Sequence, residues 1–192
     1  MDAIGWILVI LVVLVLAGGV WALSAYNGFV RQRNMIQESW RQVDVELNRR
    51  YELLPNLIET VRAYAGHERN TLEEVTRLRT QAQSLAGSGD IPSEQRANAE
   101  AQLSGAVRNL MVSVEAYPEL RSNQNFIELQ RELSETEDRI AAGRRFYNGN
   151  VRAINTRVEA FPSSIIASLF HFTTEEYFEV DDAERGPVDV RF

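Results

Sequence analysis

Apolar residues recur at Ile36, Trp40, Val43, Leu47, Leu54, Leu57, Val61, Ala65, Leu72, Val75 and Ala82, separated by three, by four or by sums of these. Such spacing places them on one face of a helix, and that face must pack against other helices. Ahead of this stripe, Ile4 to Leu23 carries no charge and is long enough to span a hydrocarbon core as a helix. Trp6 and Trp21 stand near its two ends, where indole rings favour the headgroup zone, so Ile4, Trp6, Leu14, Trp21 and Leu23 mark a transmembrane anchor. A cleaved signal peptide, with Ala22 and Ser24 as small residues before the cut, is the rival reading. It is the weaker one, because only Asp2 precedes the run and a signal peptide wants a basic opening and a shorter apolar core.

Beyond the anchor the periodicity predicts four helices. The first covers Tyr26 to about Tyr51 and the second Pro55 to about Ala86, divided at Pro55 because proline lacks a backbone N–H and its ring clashes with the preceding turn. Gly87-Ser88-Gly89-Asp90-Ile91-Pro92 is a breaker cluster. A third helix starts at Ser93, with acidic Glu94 in its first turn and a stripe of Leu103, Val107, Leu110, Val114 and Tyr117. Pro118 and the polar run 121–125 mark the next turn, with Asn123 as N-cap. The fourth helix, expected to be the longest, follows Phe126, Leu129, Leu133, Ile140, Tyr147, Val151, Ile154 and Val158 until Phe161-Pro162 ends it.

The fold class that follows is all-α: an N-terminal transmembrane helix followed by an elongated up-and-down four-helix bundle. Residues 1–25 form the anchor, 26–162 the bundle, and 163–192 an apolar patch with an acidic, frayed tail. An alternative is left open at Pro55. The apolar spacing passes through it almost in phase, so the first two helices could form one kinked rod. A three-pass body would then leave the stripe Ile36 to Leu47 unpaired within the subunit, to be buried by neighbouring subunits. The patch of Ile165, Ile166, Leu169, Phe170 and Phe172 either folds back onto the bundle or lies in the membrane interface, and packing is the simpler reading for one short segment. One internal echo also appears: Tyr26-Asn27-Gly28 with Val30, Arg31 and Asn34 repeats as Tyr147-Asn148-Gly149 with Val151, Arg152 and Asn155. In an up-and-down bundle the two copies would be neighbours just above the membrane.

Composition adjusts this picture at a few points. The net charge of −7 is concentrated in the tail, since from Glu175 onward seven acidic residues face only Arg185 and Arg191. The sequence pI near 5.0 argues against nucleic acid as the main partner. The absence of cysteine removes disulfides, thiolate zinc sites and thiol catalysis. Arg31, Arg33 and Arg41 follow the anchor while no Lys or Arg precedes it, so the positive-inside rule puts the N-terminus outside and the body in the cytoplasm.

The order of short motifs is more specific than any of them singly. Tyr26-Asn27, Arg33-Asn34, Trp40, Asp44-Val45, Leu47 with Arg49-Arg50, Leu54-Pro55-Asn56-Leu57, Tyr64-Ala65 and His67-Glu68 come first. Glu115-Ala116-Tyr117-Pro118, Phe126 with Leu129-Gln130, Arg144-Arg145, Tyr147-Asn148, Asn155, Phe161-Pro162 and Tyr177-Phe178 follow. On these marks the chain, from about Tyr26 to Phe178, resembles the LemA family of bacterial membrane-anchored helical proteins. The chain departs from relatives in having arginine where lysine is common, and it contains no lysine at all. The resemblance implies a helical bundle tethered to the bacterial inner membrane by a single pass. It also implies links with membrane stress, with a membrane metalloprotease as partner, and with magnetosome membranes.

Catalytic chemistry finds little purchase. His67-Glu68 would need a histidine at Thr71 to form a zincin motif, and a ferritin-like dimetal site would need Glu three residues before a histidine, where Tyr64 and Ser168 stand. Gly87-Ser88-Gly89 is too short to cradle a phosphate and no Lys follows it. No cofactor is expected. Asp44, Glu46, Arg49, Arg50, Glu52, Glu59 and Arg62 lie three or four residues from opposite charges, as solvated helix faces do. The sharper alternative is that Arg49, Arg50, Asn56, His67 and Glu68 make polar contacts between helices or with a partner, since an Arg fork suits carboxylates. The function expected is therefore non-enzymatic: a membrane scaffold or adaptor, homo-oligomeric, that organises membrane or membrane proteins. A sensory or regulatory partner of a membrane protease, and then a metal-dependent enzyme with inward carboxylates, are the alternatives.

Overall fold

A computed structural model of the chain describes residues 3–66, 68–86 and 93–178. It is all-α, with no strand among the described residues: α1 (Ala3–Tyr64), α2 (Arg69–Ala86), α3 (Glu94–Val114), α4 (Pro118–Arg121), α5 (Gln124–Glu159) and α6 (Ser163–Leu169). Two compact units are built from them, Met1–Glu38 with Asn148–Glu175, and Ser39–Tyr147 with Glu176–Phe192.

The division expected at Pro55 is absent. Helix α1 passes through Pro55 and ends at Tyr64, and α2 begins at Arg69, so the break between them falls after Tyr64. Proline at this position cannot donate to the carbonyl four residues earlier, which belongs to Tyr51. That carbonyl is taken instead by Arg79 of α2, whose Nε donates to it at 2.6 Å. A side chain from the next helix thus repairs the gap that Pro55 opens, and the helix continues. The single rod reaching Ala86 is equally absent, because α1 and α2 are separate helices. Fusion of the anchor with the first helix also makes α1, at 62 residues, longer than the 36-residue α5 that had been expected to be the longest.

Other boundaries follow the local chemistry of the chain. The Ser93 hydroxyl accepts from the Arg96 N–H at 3.2 Å and caps α3, with Glu94 in the first turn. Asn123 Oδ1 accepts from the Phe126 N–H at 3.1 Å and caps α5. α5 stops at Glu159, just before Phe161-Pro162. The breaker cluster 87–92 and the tail from 179 onward lie outside the described residues.

In the unit of Ser39–Tyr147 with Glu176–Phe192, the α1 face of Trp40, Val43, Leu47, Leu54, Leu57 and Val61 is buried, as are Leu103, Leu110, Phe126, Leu133 and Ile140 of α3 and α5. Burial of each such side chain contributes about 1.5–3 kcal/mol relative to exposure. Gly143 of α5 lies against α1, where an added Cβ would come within 2.9 Å of Val43 Cγ2. Tyr147 stacks edge-on to Trp40 at 5.7 Å between ring centroids, and Phe178 approaches the same indole at 5.0 Å. Ile36, Trp40, Val43 and Leu47 are all buried within one chain, so this stripe needs no neighbouring subunit.

The other unit holds the apolar run, where Ile4, Trp6, Leu14, Trp21 and Leu23 are exposed. At the end of that run Phe29 stacks on Phe172 at 4.8 Å, and Arg157 of α5 also lies over the Phe29 ring at 4.9 Å. Arg157 also occupies the space beside Gly28, where a Cβ would meet its guanidinium at 2.5 Å. Asn155 binds the returning tail in both directions: its Nδ2 donates to the Glu175 carbonyl at 3.0 Å, and its Oδ1 accepts from the Glu175 N–H at 2.8 Å. The two tyrosines of the sequence echo have different neighbours. Tyr26 meets Phe170 and Phe172, whereas Tyr147 meets Trp40. The glycines differ as well, with open space around Gly149 and a guanidinium against Gly28.

Candidate functional site

Arg50 is the largest fully buried side chain of the described residues that carries a charge, with 1% of it exposed. It occupies the seven-residue gap between Leu47 and Leu54, three residues after one and four before the other, so α1 turns it into the core rather than toward water. Its Nη1 donates to Ser104 Oγ of α3 at 2.8 Å and to Glu137 Oε1 of α5 at 2.9 Å, and its Nη2 is paired with Glu100 of α3. Tyr51, next along α1, donates its hydroxyl to the other oxygen of Glu100. Four helix-borne polar groups from three helices are thereby satisfied around one guanidinium. Its Nε finds no acceptor among the described residues.

Electrostatics favour the charged guanidinium of Arg50 and the neutral phenol of Tyr51. Burial pulls the Arg50 pKa down, but the Glu137 and Glu100 carboxylates outweigh it and leave the guanidinium above its ordinary value. Burial pushes the Tyr51 phenol well above its ordinary value, and the adjoining Glu100 carboxylate adds to that. A second pair lies nearby, six residues earlier on α1 and four earlier on α3. Arg96 of α3, also buried, is paired with Asp44 of α1 and lies over the Trp40 ring at 4.8 Å. A pocket of about 240 Å³ opens beside the layer, lined by Leu47, Arg50, Glu100, Ser104, Glu137 and Arg144 among others. Among the described residues no group of three or more His, Cys, Asp or Glu side chains is placed to hold a metal ion. Glu100 accepts from two donors at once and Arg50 donates to three acceptors, so the layer fastens helices together.

Of the five polar residues singled out in the sequence, the four that are described do not converge. Arg50 enters the layer. Arg49, one position round the helix, lies on the surface 4.0 Å from Glu132. Asn56 is exposed on α1. Glu68 lies at the α1–α2 turn, where it accepts from Tyr117 at 3.3 Å and from Thr71 at 3.4 Å, and His67 lies outside the described residues. Near it the Asn123 amide donates to the Tyr64 hydroxyl at 3.0 Å, which ties this turn to the one before α5. Sequence reasoning missed Glu100, Ser104, Arg96, Glu137 and Tyr51. The signal was present for two of them. Arg96, Glu100, Leu103, Val107, Leu110 and Val114 form an unbroken four-three spacing, so Arg96 and Glu100 belong to the buried stripe of α3.

Comparison with known proteins adds the lineage of this arrangement. The sequence profile described as LemA family matches residues 39–192, four-fifths of the chain. The chain belongs to the LemA family. It is 23% identical to Protein LemA of Metamycoplasma hominis over 164 residues, which is 85% of this chain and 73% of that protein. Against Magnetosome protein MamQ 2 of Paramagnetospirillum magneticum it is 26% identical over 203 aligned positions, 95% of this chain and 75% of the relative. Magnetosome protein MamQ of Magnetospirillum gryphiswaldense is 24% identical over 187 positions, 86% of this chain and 69% of its own. The span matched by the LemA profile opens at Ser39, so it contains the whole Arg50 layer, while the apolar run of this LemA-family chain precedes it.

Proposed function

We propose that this chain is a single-pass, membrane-anchored and non-enzymatic scaffold or adaptor, which self-associates and organises membrane proteins or the membrane at the cytoplasmic face. The observation that carries the reading is the composition of α1. One uninterrupted helix bears an apolar run long enough to cross a bilayer and exposed throughout, and then a stripe that is buried in the helical core. Lipid is the cover that an uncharged exposed helix of this length calls for. Arg31, Arg33 and Arg41, just past the run, favour the cytoplasmic side for the body. The buried charges are spent on joining helices, and the relatives' names, Protein LemA and Magnetosome protein MamQ, name no reaction. Full-length protein in nanodiscs, weighed by light scattering, is expected to give a discrete assembly of more than one chain. Monomers at every protein-to-lipid ratio would overturn self-assembly and leave the adaptor, whose partner, such as a membrane protease, crosslinking in membranes would identify.

A further inference from the structure

The apolar patch that ends the helical part of the chain divides into two faces. Ile166 and Ala167 of α6 are buried and Phe172 stacks on Phe29. The opposite face is not covered: Phe161 is 82% exposed and Leu169 67%, with Ile165 and Phe170 also exposed. Ile165 and Leu169 are four apart and share one face of α6, with Phe161 just before the helix and Phe170 just after it. A lone exposed leucine needs no explanation, but four large apolar side chains side by side do.

Two further observations say what covers them. From Ala160 to Thr174 the chain carries no Asp, Glu, Lys or Arg, although charged residues make up 24% of the sequence. Both ends of α6 are also pinned at the level where the anchor ends. Arg157, just before the close of α5, reaches the Ala25 carbonyl at 3.5 Å, and Phe170, just after α6, packs on Tyr26 at 4.8 Å between ring centroids. Ala25 and Tyr26 follow Leu23 by two and three residues, which is about 3–4.5 Å of helix rise. The headgroup zone on each side of the hydrocarbon core is about 5–7 Å deep, so α6 is held at its depth with an uncharged apolar face outward. A short helix lying at that boundary, apolar side toward the acyl chains, is the arrangement of interfacial helices.

The geometry points to α6 as a second membrane contact of this chain: Phe161, Ile165, Leu169 and Phe170 dip into the headgroup–acyl boundary of the bilayer that the anchor crosses. The inference rests on the anchor reading above. Because the chain has no cysteine, single spin labels can be placed on the full-length protein without background. Labels at Leu169→Cys, Ile165→Cys, Leu14→Cys and Glu73→Cys, in vesicles of phosphatidylethanolamine and phosphatidylglycerol, are compared by their collision rates with oxygen and with a neutral nickel chelate. The expected result is an oxygen-to-nickel ratio highest at Leu14, lowest at Glu73, and shifted clearly above Glu73 at both α6 positions. If the α6 labels match Glu73 while Leu14 stays deep, the interfacial contact is overturned and the anchor stands. Loss of both collision partners at α6 would also overturn it, since that is cover by protein, such as a second copy. A nickel-accessible Leu14 would remove the anchor reading and this inference with it.

Discussion

Arg50 holds its charge without water, and the cost of that burial is offset only while its carboxylate partners are present. Arg50→Met is therefore expected to destabilise the bundle by about 3–5 kcal/mol, because Glu100 is left buried without its cation. Combining it with Glu100→Leu should recover most of the loss, since an apolar replacement of a whole buried pair is close to neutral. Urea unfolding of the full chain in micelles, followed by circular dichroism, measures both. A double variant as unstable as the single one would show that the pair itself, and not the stranded charge, is what matters. Tyr51 gives the layer a pH dependence. Its pKa in the fold lies above the unfolded value of 10.0, so the folded state holds this proton where the unfolded chain has begun to lose it. The stability that results is complete below pH 10 and is lost as pH climbs beyond it. Tyr51→Phe should flatten the alkaline fall in stability and remove a late phenolate absorbance from the native titration. The position of Arg50 was legible as a gap in the stripe. Its partners were not, because mixed-sign neighbours at three and four residues also describe a solvated face, and only the buried phase separates the two.

At the scale of elements, the continuity of α1 depends on a residue that belongs to another helix. Pro55 ordinarily breaks a helix, and sequence reading placed a boundary there for that reason. What it lacked was Arg79, twenty-four positions later, aimed at the one carbonyl that Pro55 cannot serve. Arg79→Met is expected to cost about 1.5–3 kcal/mol, the range for a hydrogen bond with a charged partner. In a Pro55→Ala background the same change should cost much less, because the restored N–H of residue 55 reaches the Tyr51 carbonyl itself. Four stability measurements make the double-mutant cycle, and equal losses in both backgrounds would detach Arg79 from the repair. The helix ends that carry their own caps, at Ser93 and Asn123, were legible without error since the capping residue sits in the sequence beside the end it caps.

For the whole molecule, the sequence pattern carried the helical class, the membrane-length run and most of the core, because each rests on periodicity or composition within a single segment. The course of the tail was not readable. Glu175 and Glu176 are fixed through their backbone atoms, by Asn155 and by the Tyr147 hydroxyl, and a backbone acceptor leaves no mark on residue choice. The Arg50 layer shares that non-local character, with consequences for how the molecule assembles. Its partners lie 50, 54 and 87 residues away, so the layer is incomplete until α1, α3 and α5 have all docked. Arg50→Met is therefore expected to raise the unfolding rate more than it lowers the folding rate, as the two arms of a denaturant-dependent kinetic series would measure. A folding rate that falls as much as the unfolding rate rises would instead place the layer in the folding nucleus. On that expectation the buried charge is a latch, setting how long the closed bundle lasts more than how fast it closes.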